Sequence, residues 1–297
     1  MPQVDVTLVI VGIQSKRYVE ECLASLGHVE WGPYTHHTIY VDNASTDGSV
    51  EMVRRDFADV AVIANTRNEG FCRACNQGAA AVASRYVYLL NNDTVLFADS
   101  VAPLIAFLDR TPRAAVAGNR LLNPDLTDQW SARRFPAGVN AFFGRRTLLA
   151  RRAPDSKTMR HYLYKDEMAL GEPFTVDWVP GSCSLVRREA YDQVGGLPEE
   201  MHYWSDAVFC DRLRRAGWDA YIVPKARLVH YEGQGTGGKS RELRQRLITD
   251  FHNGAYRFYC EHYGLTPAHP ARWLARIGLD VRARVLVAAV NRSFRRH

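Results

Sequence analysis

Asp42 opens the run Asp42-Asn43-Ala44-Ser45-Thr46-Asp47-Gly48, which directly follows an apolar stretch. A carboxylate held there can accept a hydrogen bond from the imide N–H of a pyrimidine ring. Asn, Ser, Thr and Asp are also the preferred turn and helix-capping residues. Asp47 is the better capping candidate, so Asp42 needs another reason. A second run, Asn68-Glu69-Gly70-Phe71-Cys72-Arg73-Ala74-Cys75-Asn76-Gln77-Gly78, sets a glycine before a helical pattern and an arginine in its first turn. Free backbone N–H groups and a guanidinium there suit a diphosphate. The arginine also opposes the helix dipole; its plainer reading is a solvated side chain. Asn91-Asn92-Asp93 ends another apolar run. A carboxylate with neighbouring amide oxygens is a hard-oxygen site for Mg²⁺ or Mn²⁺ bridging phosphates, although turns look alike. Tyr203-Trp204-Ser205-Asp206 opens a helix. The dipole there keeps Asp206 ionised, and an ionised carboxylate can take the proton of a sugar hydroxyl; capping is the plainer alternative. His230 follows a strand-like run and can complete a metal shell as a neutral imidazole, or be structural.

These residues must be held by regular elements, and the pattern supplies them. Apolar runs at 6–13, 38–41, 60–64 and 86–90 read as strands. Helical periodicity at 18–26, 49–57, 71–84 and 100–109 alternates with them. The alternation predicts an α/β fold with a Rossmann-like, mostly parallel sheet and helices on both faces. Ligands in such sheets bind beyond the carboxyl ends of the strands. Residues 112–172 are less regular, and 130–172 is a candidate lid over the site. Strands are expected at 175–179, 184–186 and 220–223, and helices at 187–194, 205–216 and from 242 onward.

Apolar residues make up 46% and charged residues 24% of the chain, which argues against disorder. The net charge of +6 is concentrated late, with seven arginines against Asp280 alone between 272 and 297. Trp273, Leu274, Ile277, Val281, Val285 and Leu286 could share one helical face there. Such a helix either lies on an anionic membrane or packs on the core with a solvated basic side. Among six cysteines, Cys72 and Cys75 form a lone C-x-x-C with no second pair for zinc, so two small residues inside a helix are the plainer reading. No secretory pattern opens the sequence, and no apolar run nears the ~20 residues of a membrane span. The expected location is cytoplasmic, with peripheral contact at the inner face of the plasma membrane.

Each cluster is a weak signal alone; their order is not. The chain resembles the family 2 glycosyltransferases of the GT-A fold over roughly residues 4–235. Beyond the clusters above, the resemblance rests on Val176-Asp177-Trp178-Val179-Pro180-Gly181-Ser182-Cys183, Leu185-Val186-Arg187-Arg188, Val194-Gly195-Gly196-Leu197 and Asp211-Arg212-Leu213-Arg214-Arg215-Ala216-Gly217-Trp218. Its flavour is that of bacterial rhamnosyltransferases acting on polyprenyl-linked glycans of the cell envelope.

The resemblance implies a GT-A domain over 1–235, with a nucleotide-sugar-binding half (1–112) and an acceptor half (113–235), and a basic helical extension over 236–297. It implies that Asp42 and Asn43 bind the donor's base and that Arg73 sits beside the nucleotide. Asn91, Asn92 and Asp93 occupy the D-x-D position, with Asp93 and His230 toward a divalent metal. Trp178, Gly181 and Trp204 would line the acceptor side. Asp206 falls on the base of inverting members. The implied reaction moves a sugar from a nucleotide-diphosphate donor (dTDP-L-rhamnose first, otherwise a UDP-sugar) to a glycan or lipid-linked hydroxyl.

Departures from the family pattern are Gly12-Ile13-Gln14 after the first strand, Asn91 for the first acid, Ser205 for a Glu and Val208 for an Asp. Asn91 is a variant familiar in the rhamnosyltransferase branch; the departures at Gln14, Ser205 and Val208 favour a rival reading, a non-catalytic nucleotide- or glycan-binding relative, which Asp42, Asp93, Asp206 and His230 together oppose. A nucleotidyltransferase would carry a better triphosphate loop than Gly12-Ile13-Gln14-Ser15-Lys16-Arg17. Nucleic acid is not an expected partner, since no reading motif accompanies the basic charge.

Overall fold

A computed structural model describes residues 4–135, 152–181, 183–232 and 240–294. Residues 136–151 of the candidate lid, Ser182 and the last three tail residues lie outside them. The first half runs β1 (Val4–Gly12), α1 (Lys16–Leu26), β2 (His36–Asp42), α2 (Ser49–Asp56), β3 (Val60–Ala64), α3 (Phe71–Ala81) and β4 (Ser84–Asn91). It continues with β5 (Thr94–Leu96), α4 (Ala102–Arg110), β6 (Ala114–Leu122), α5 (Lys157–Tyr162), α6 (Lys165–Leu170), β7 (Phe174–Val176) and β8 (Cys183–Arg187). The chain ends with α7 (Arg188–Gln193), α8 (Ser205–Arg215), β9 (Asp219–His230), α9 (Arg241–His262) and α10 (Pro270–Phe294).

The strands form one nine-stranded sheet in the order β3-β2-β1-β4-β8-β6-β9-β5, with β7 added on β9. The ladders β3-β2-β1-β4 and β6-β9 are parallel, whereas β8, β5 and β7 run against their neighbours. The result is a mixed, mostly parallel sheet with helices on both faces. Strand β1 shows why: Leu8 and Ile10 enter one apolar core and Val9 and Val11 the other. Side chains of a strand alternate between faces, so a stretch apolar at every position, as Leu8–Val11 is, must be covered on both.

The small residues of α3 let it lie close to the sheet. A Cβ on Gly78 would meet Val9 at 2.4 Å. Cys72 and Cys75 are buried against the same layer, and burial raises both thiols, Cys72 to about 11. The C-x-x-C pair is packing material.

The structure corrects the sequence reading in its middle. Residues 114–122, expected to be irregular, form the inner strand β6. Gly118, Asn119 and Arg120 interrupt its apolar pattern, yet Asn119 is buried, accepting from Tyr88 at 2.8 Å and donating to the Ser100 carbonyl at 2.7 Å. A satisfied buried amide is compatible with a core strand. Strand β9 continues through Pro224 to His230 rather than ending at 223, and the irregular stretch also contains α5 and α6.

Helix α9 docks on α8 through polar contacts. Buried Asp211 accepts from Arg214 (3.2 Å), Arg215 (2.9 Å) and His262 (2.9 Å), while Arg212 pairs with Glu261 at 2.7 Å. Helix α10 returns along α9, with Arg272 on Tyr256 (2.8 Å), Arg276 on Asn253 (3.0 Å) and Arg241 on Asn291 (2.8 Å). Among the described residues no helix is long and apolar enough to cross a membrane.

Candidate active site

Parallel pairing sets the chemical residues level. Gly12 lies opposite Asp42, and Val11 opposite Asn91, so β1, β2 and β4 end along one edge. Asp42 is buried there. Its Oδ1 accepts from the Tyr40 hydroxyl at 2.8 Å and its Oδ2 from the Ser45 N–H at 2.7 Å. Asp47, not Asp42, holds the start of α2, accepting from the Ser49 N–H at 3.1 Å and the Lys16 N–H at 2.9 Å. Each Asp42 oxygen keeps a lone pair beyond its internal bond, so the carboxylate is fixed in orientation and still able to accept.

Tyr40 itself needs room. Its hydroxyl lies 2.6 Å from where a Cβ on Gly12 would sit, so the glycine makes space for the residue that orients Asp42. Gln14 has a left-handed backbone (φ 47°) and ties the β1 loop to the β2 loop through Ser45 (2.9 Å) and Thr46 (3.2 Å). Asn43 is buried beside Asp42. It donates to the Gly70 carbonyl at 3.4 Å and accepts from Asn65 at 3.0 Å, while Asn65 also reaches Gln77 at 2.9 Å.

The third strand end gathers the candidate metal ligands. Asn92 donates to Ser15, and Asn91 offers its carbonyl to Thr94 at 2.7 Å. Asp93 and His230 are drawn together because Thr94 pairs with His230 across β5 and β9, and the Tyr231 N–H bonds the Asp93 carbonyl at 2.9 Å. His230 Nε2 faces Asp93 Oδ1 at 3.3 Å. Gln129 donates to the His230 carbonyl, so its Oε1, 3.0 Å from Nδ1, is the acceptor there. Nδ1 is therefore a donor; in the neutral imidazole Nε2 carries the lone pair, and a ring nitrogen facing a carboxylate oxygen offers the ligand types a divalent cation takes. Among the described residues no third His, Cys, Asp or Glu joins them, so phosphate oxygens and water would complete such a shell.

On the other side, Asp206 sits in the first turn of α8, after Trp204 in a left-handed conformation (φ 69°). Its Oδ2 accepts from the Gly181 N–H at 3.1 Å and its Oδ1 from the Ala207 N–H at 2.9 Å. Burial pushes this carboxyl above the usual aspartate value; the two N–H groups and the Arg133 charge pull back less strongly. Arg133 lies over the Trp178 ring at 5.4 Å, and Trp178 stands 6.3 Å from Trp204. The Trp204 ring stacks on Phe258 of α9 at 5.4 Å, so α9 backs this aromatic wall.

Arg73 is not gathered with Asp42. Its guanidinium pairs with Glu69 at 3.1 Å and Glu199 at 2.9 Å on the partly exposed side of α3, and these carboxylates offset its opposition to the helix dipole. Sequence reasoning missed Tyr40, Gln129 and Arg133. Tyr40 could have been found, since residues two apart on a strand share a face. Gln129 and Arg133 lie in an irregular stretch where no periodicity marks them.

A mostly parallel sheet with acidic side chains at its strand ends, and a carboxylate in the first turn of α8, are what a GT-A glycosyltransferase presents. The chain belongs to glycosyl transferase family 2, whose family model matches residues 7–195. It is 28% identical, over 94% of its length and 92% of the relative's, to the N-acetylglucosaminyl-diphospho-decaprenol L-rhamnosyltransferase of Mycobacterium tuberculosis. It is 26% identical over 67% of its length, but 15% of the relative's, to the O-antigen biosynthesis protein RfbC of Myxococcus xanthus. Among solved structures, the mannosyltransferase PcManGT from Pyrobaculum calidifontis, in complex with GDP-Man and Mn²⁺, matches with a TM-score of 0.59 at 17% identity, covering 98% of this chain and 79% of that one. GalNAc-T7 with UDP, GalNAc and Mn²⁺ matches with a TM-score of 0.60 at 16% identity, covering 94% of this chain and 55% of that one.

Proposed function

We propose that this glycosyltransferase is an inverting rhamnosyltransferase. Its donor is dTDP-L-rhamnose, with a UDP-sugar the alternative, and its acceptor is a hydroxyl of a polyprenyl-diphosphate-linked glycan at the inner face of the plasma membrane. The observation that carries the reading is the extent of the similarity to the mycobacterial rhamnosyltransferase, 94% of this chain and 92% of that one, which spans donor half, acceptor half and C-terminal extension alike.

In this reading the unit is residues 1–235, with 236–297 as an extension. Asp42 accepts from the imide N–H of the donor base, with Asn43 beside it. Asn91 and Asn92 shape the diphosphate cradle, and Arg73 with its two carboxylates borders the nucleotide from outside. Asp93 and His230 would hold a divalent metal, Mg²⁺ or Mn²⁺, which when bound supplies Lewis-acid neutralisation of the leaving diphosphate.

Asp206 takes the proton of the acceptor hydroxyl. That oxygen bonds the anomeric carbon from the face opposite the diphosphate, the bond from carbon to diphosphate oxygen breaks, and the nucleoside diphosphate departs with the electron pair. One displacement inverts the anomeric centre, so one base on the attacking side suffices. The raised carboxyl of Asp206 suits the role, because a base nearer neutrality takes a proton more effectively than an ordinary aspartate. Trp178, Gly181 and Trp204 border the acceptor.

The departures at Gln14, Ser205 and Val208 favour a non-catalytic relative, and one assay separates the two. Purified enzyme is given dTDP-L-rhamnose, UDP-glucose or UDP-GlcNAc with polyprenyl-diphospho-GlcNAc, with Mn²⁺, Mg²⁺ or chelator. Rhamnose transfer that chelator abolishes is expected. Nucleotide binding without transfer from any donor would sink the catalytic reading, and transfer from a UDP-sugar alone would sink the donor assignment.

A further inference from the structure

The two faces of α10 are used unequally. One packs on α9, and Arg272 and Arg276 are turned into that contact. The other presents Trp273, Leu274, Ile277, Val281 and Val285 at 66%, 70%, 59%, 55% and 62% exposure. Residues 273, 277, 281 and 285 follow each other every four positions, so they form one slowly drifting stripe about 18 Å long. An apolar stripe of this length on a soluble surface marks an interaction site. The helix is too polar to span a bilayer.

The charges beside the stripe identify its occupant. Arg284 and Arg292 are exposed with it, and the one acid in α10, Asp280, is taken by Arg276 at 3.0 Å. A second copy of the chain docked on this face would bring these arginines together with no α10 carboxylate left to receive them. A surface that is apolar beneath and anionic above receives both kinds of residue. We propose that the exposed face of α10 lies flat on anionic phospholipid, the stripe sunk among the acyl chains and Arg284 and Arg292 on the phosphates. The proposal deepens the lipid-linked reading of the acceptor by naming the surface that brings the enzyme to it. Helix α9 links this surface to the proposed acceptor wall, since its Phe258 stacks on Trp204.

The test is co-sedimentation of the full chain with vesicles of phosphatidylcholine alone and of phosphatidylcholine with phosphatidylglycerol. Wild type is expected to bind the anionic vesicles at least tenfold more tightly, and less so as salt rises. Ile277→Asp with Val281→Asp should abolish binding, and Arg284→Glu with Arg292→Glu should remove the preference for anionic lipid, at about fivefold per arginine. All four side chains lie off the α9 contact, so melting temperature should hold. Equal, weak binding to both vesicles, or binding unchanged in the apolar double variant, would overturn the proposal. So would a wild-type dimer that the double variant dissociates, which would make a second copy the occupant. Transfer to a short-chain, water-soluble acceptor should be unaffected in every variant. Its absence in wild type, with vesicle binding intact, would remove the functional reading and leave the surface standing.

Discussion

Replacing Asp206 with asparagine removes the proposed base at nearly constant volume. A positioned general base contributes about 10²–10⁴ in rate, so turnover should fall by at least about a hundredfold, or roughly 2.7 kcal/mol of barrier. The structure adds a cost outside the chemistry. Both carboxylate oxygens accept from N–H groups, at 3.1 Å from Gly181 and 2.9 Å from Ala207. An asparagine oxygen can serve one of them, while its NH₂ meets the other donor, and a buried unpaired N–H costs about 1–3 kcal/mol. Acting against this, burial disfavours the ionised aspartate, and the neutral amide escapes that penalty. The net change in stability should therefore be small, and the loss should lie in kcat with donor affinity kept. Initial rates with a lipid-linked acceptor, calorimetric binding of dTDP with Mn²⁺ and a melting curve check the three statements. The pH dependence supplies the sign. The base works ionised and its carboxyl is raised, so activity should fall on acidification at a pH above that of an ordinary aspartate. By linkage, the ionised group weakens the fold above its folded pKa, and that loss is regained as pH falls through it. A variant keeping more than a tenth of wild-type turnover would refute the assignment of Asp206.

Gln129→Ala leaves His230 free to change tautomer, so metal-dependent nucleotide binding should weaken by about 10–100-fold in calorimetry, with metal-independent binding unchanged. Arg133→Gln removes a positive charge that lowers the Asp206 carboxyl, so the acid limb of kcat/KM should move to higher pH; an unmoved limb would dissociate Arg133 from the base. Gly12→Ala forces a Cβ to within 2.6 Å of the Tyr40 hydroxyl, which should cost about 1–3 kcal/mol of stability by denaturant titration and loosen pyrimidine-nucleotide binding.

The first half of the fold was legible because its strands carry apolar runs that stop where chemistry begins. Val41 precedes Asp42, and Leu90 precedes Asn91. The second half was less so. Strand β6 carries Gly118, Asn119 and Arg120, and its buried amide is satisfied by partners that no local pattern reveals. Strand β9 survives Pro224 because the proline falls in a register break, where the ladder with β6 passes from Asn119–Val223 to Arg120–Arg227. The candidate site divided in the same way. Residues at strand ends were visible as types, whereas the Gln129 bond that sets the tautomer of His230 joins side chains 101 positions apart. The apolar spacing of α10 was legible, but not which side would face outward. Arg272 and Arg276 turn inward onto α9, so the basic side is not wholly solvated.

The place of β9 in the sheet governs when the protein can become an enzyme during synthesis. Among the described residues it is the last strand made, yet it sits between β6 and β5 and also carries β7. A nascent chain that has not reached Asp219 leaves β5 and β7 without sheet partners, and one edge of β6 open. Such an edge is a template for pairing with a neighbouring chain on the same message. Asp93 likewise waits for His230, more than a hundred residues behind it on the ribosome. Closure of the sheet and completion of the proposed metal pair are thus one late event, and chains interrupted before it have neither a finished core nor that pair.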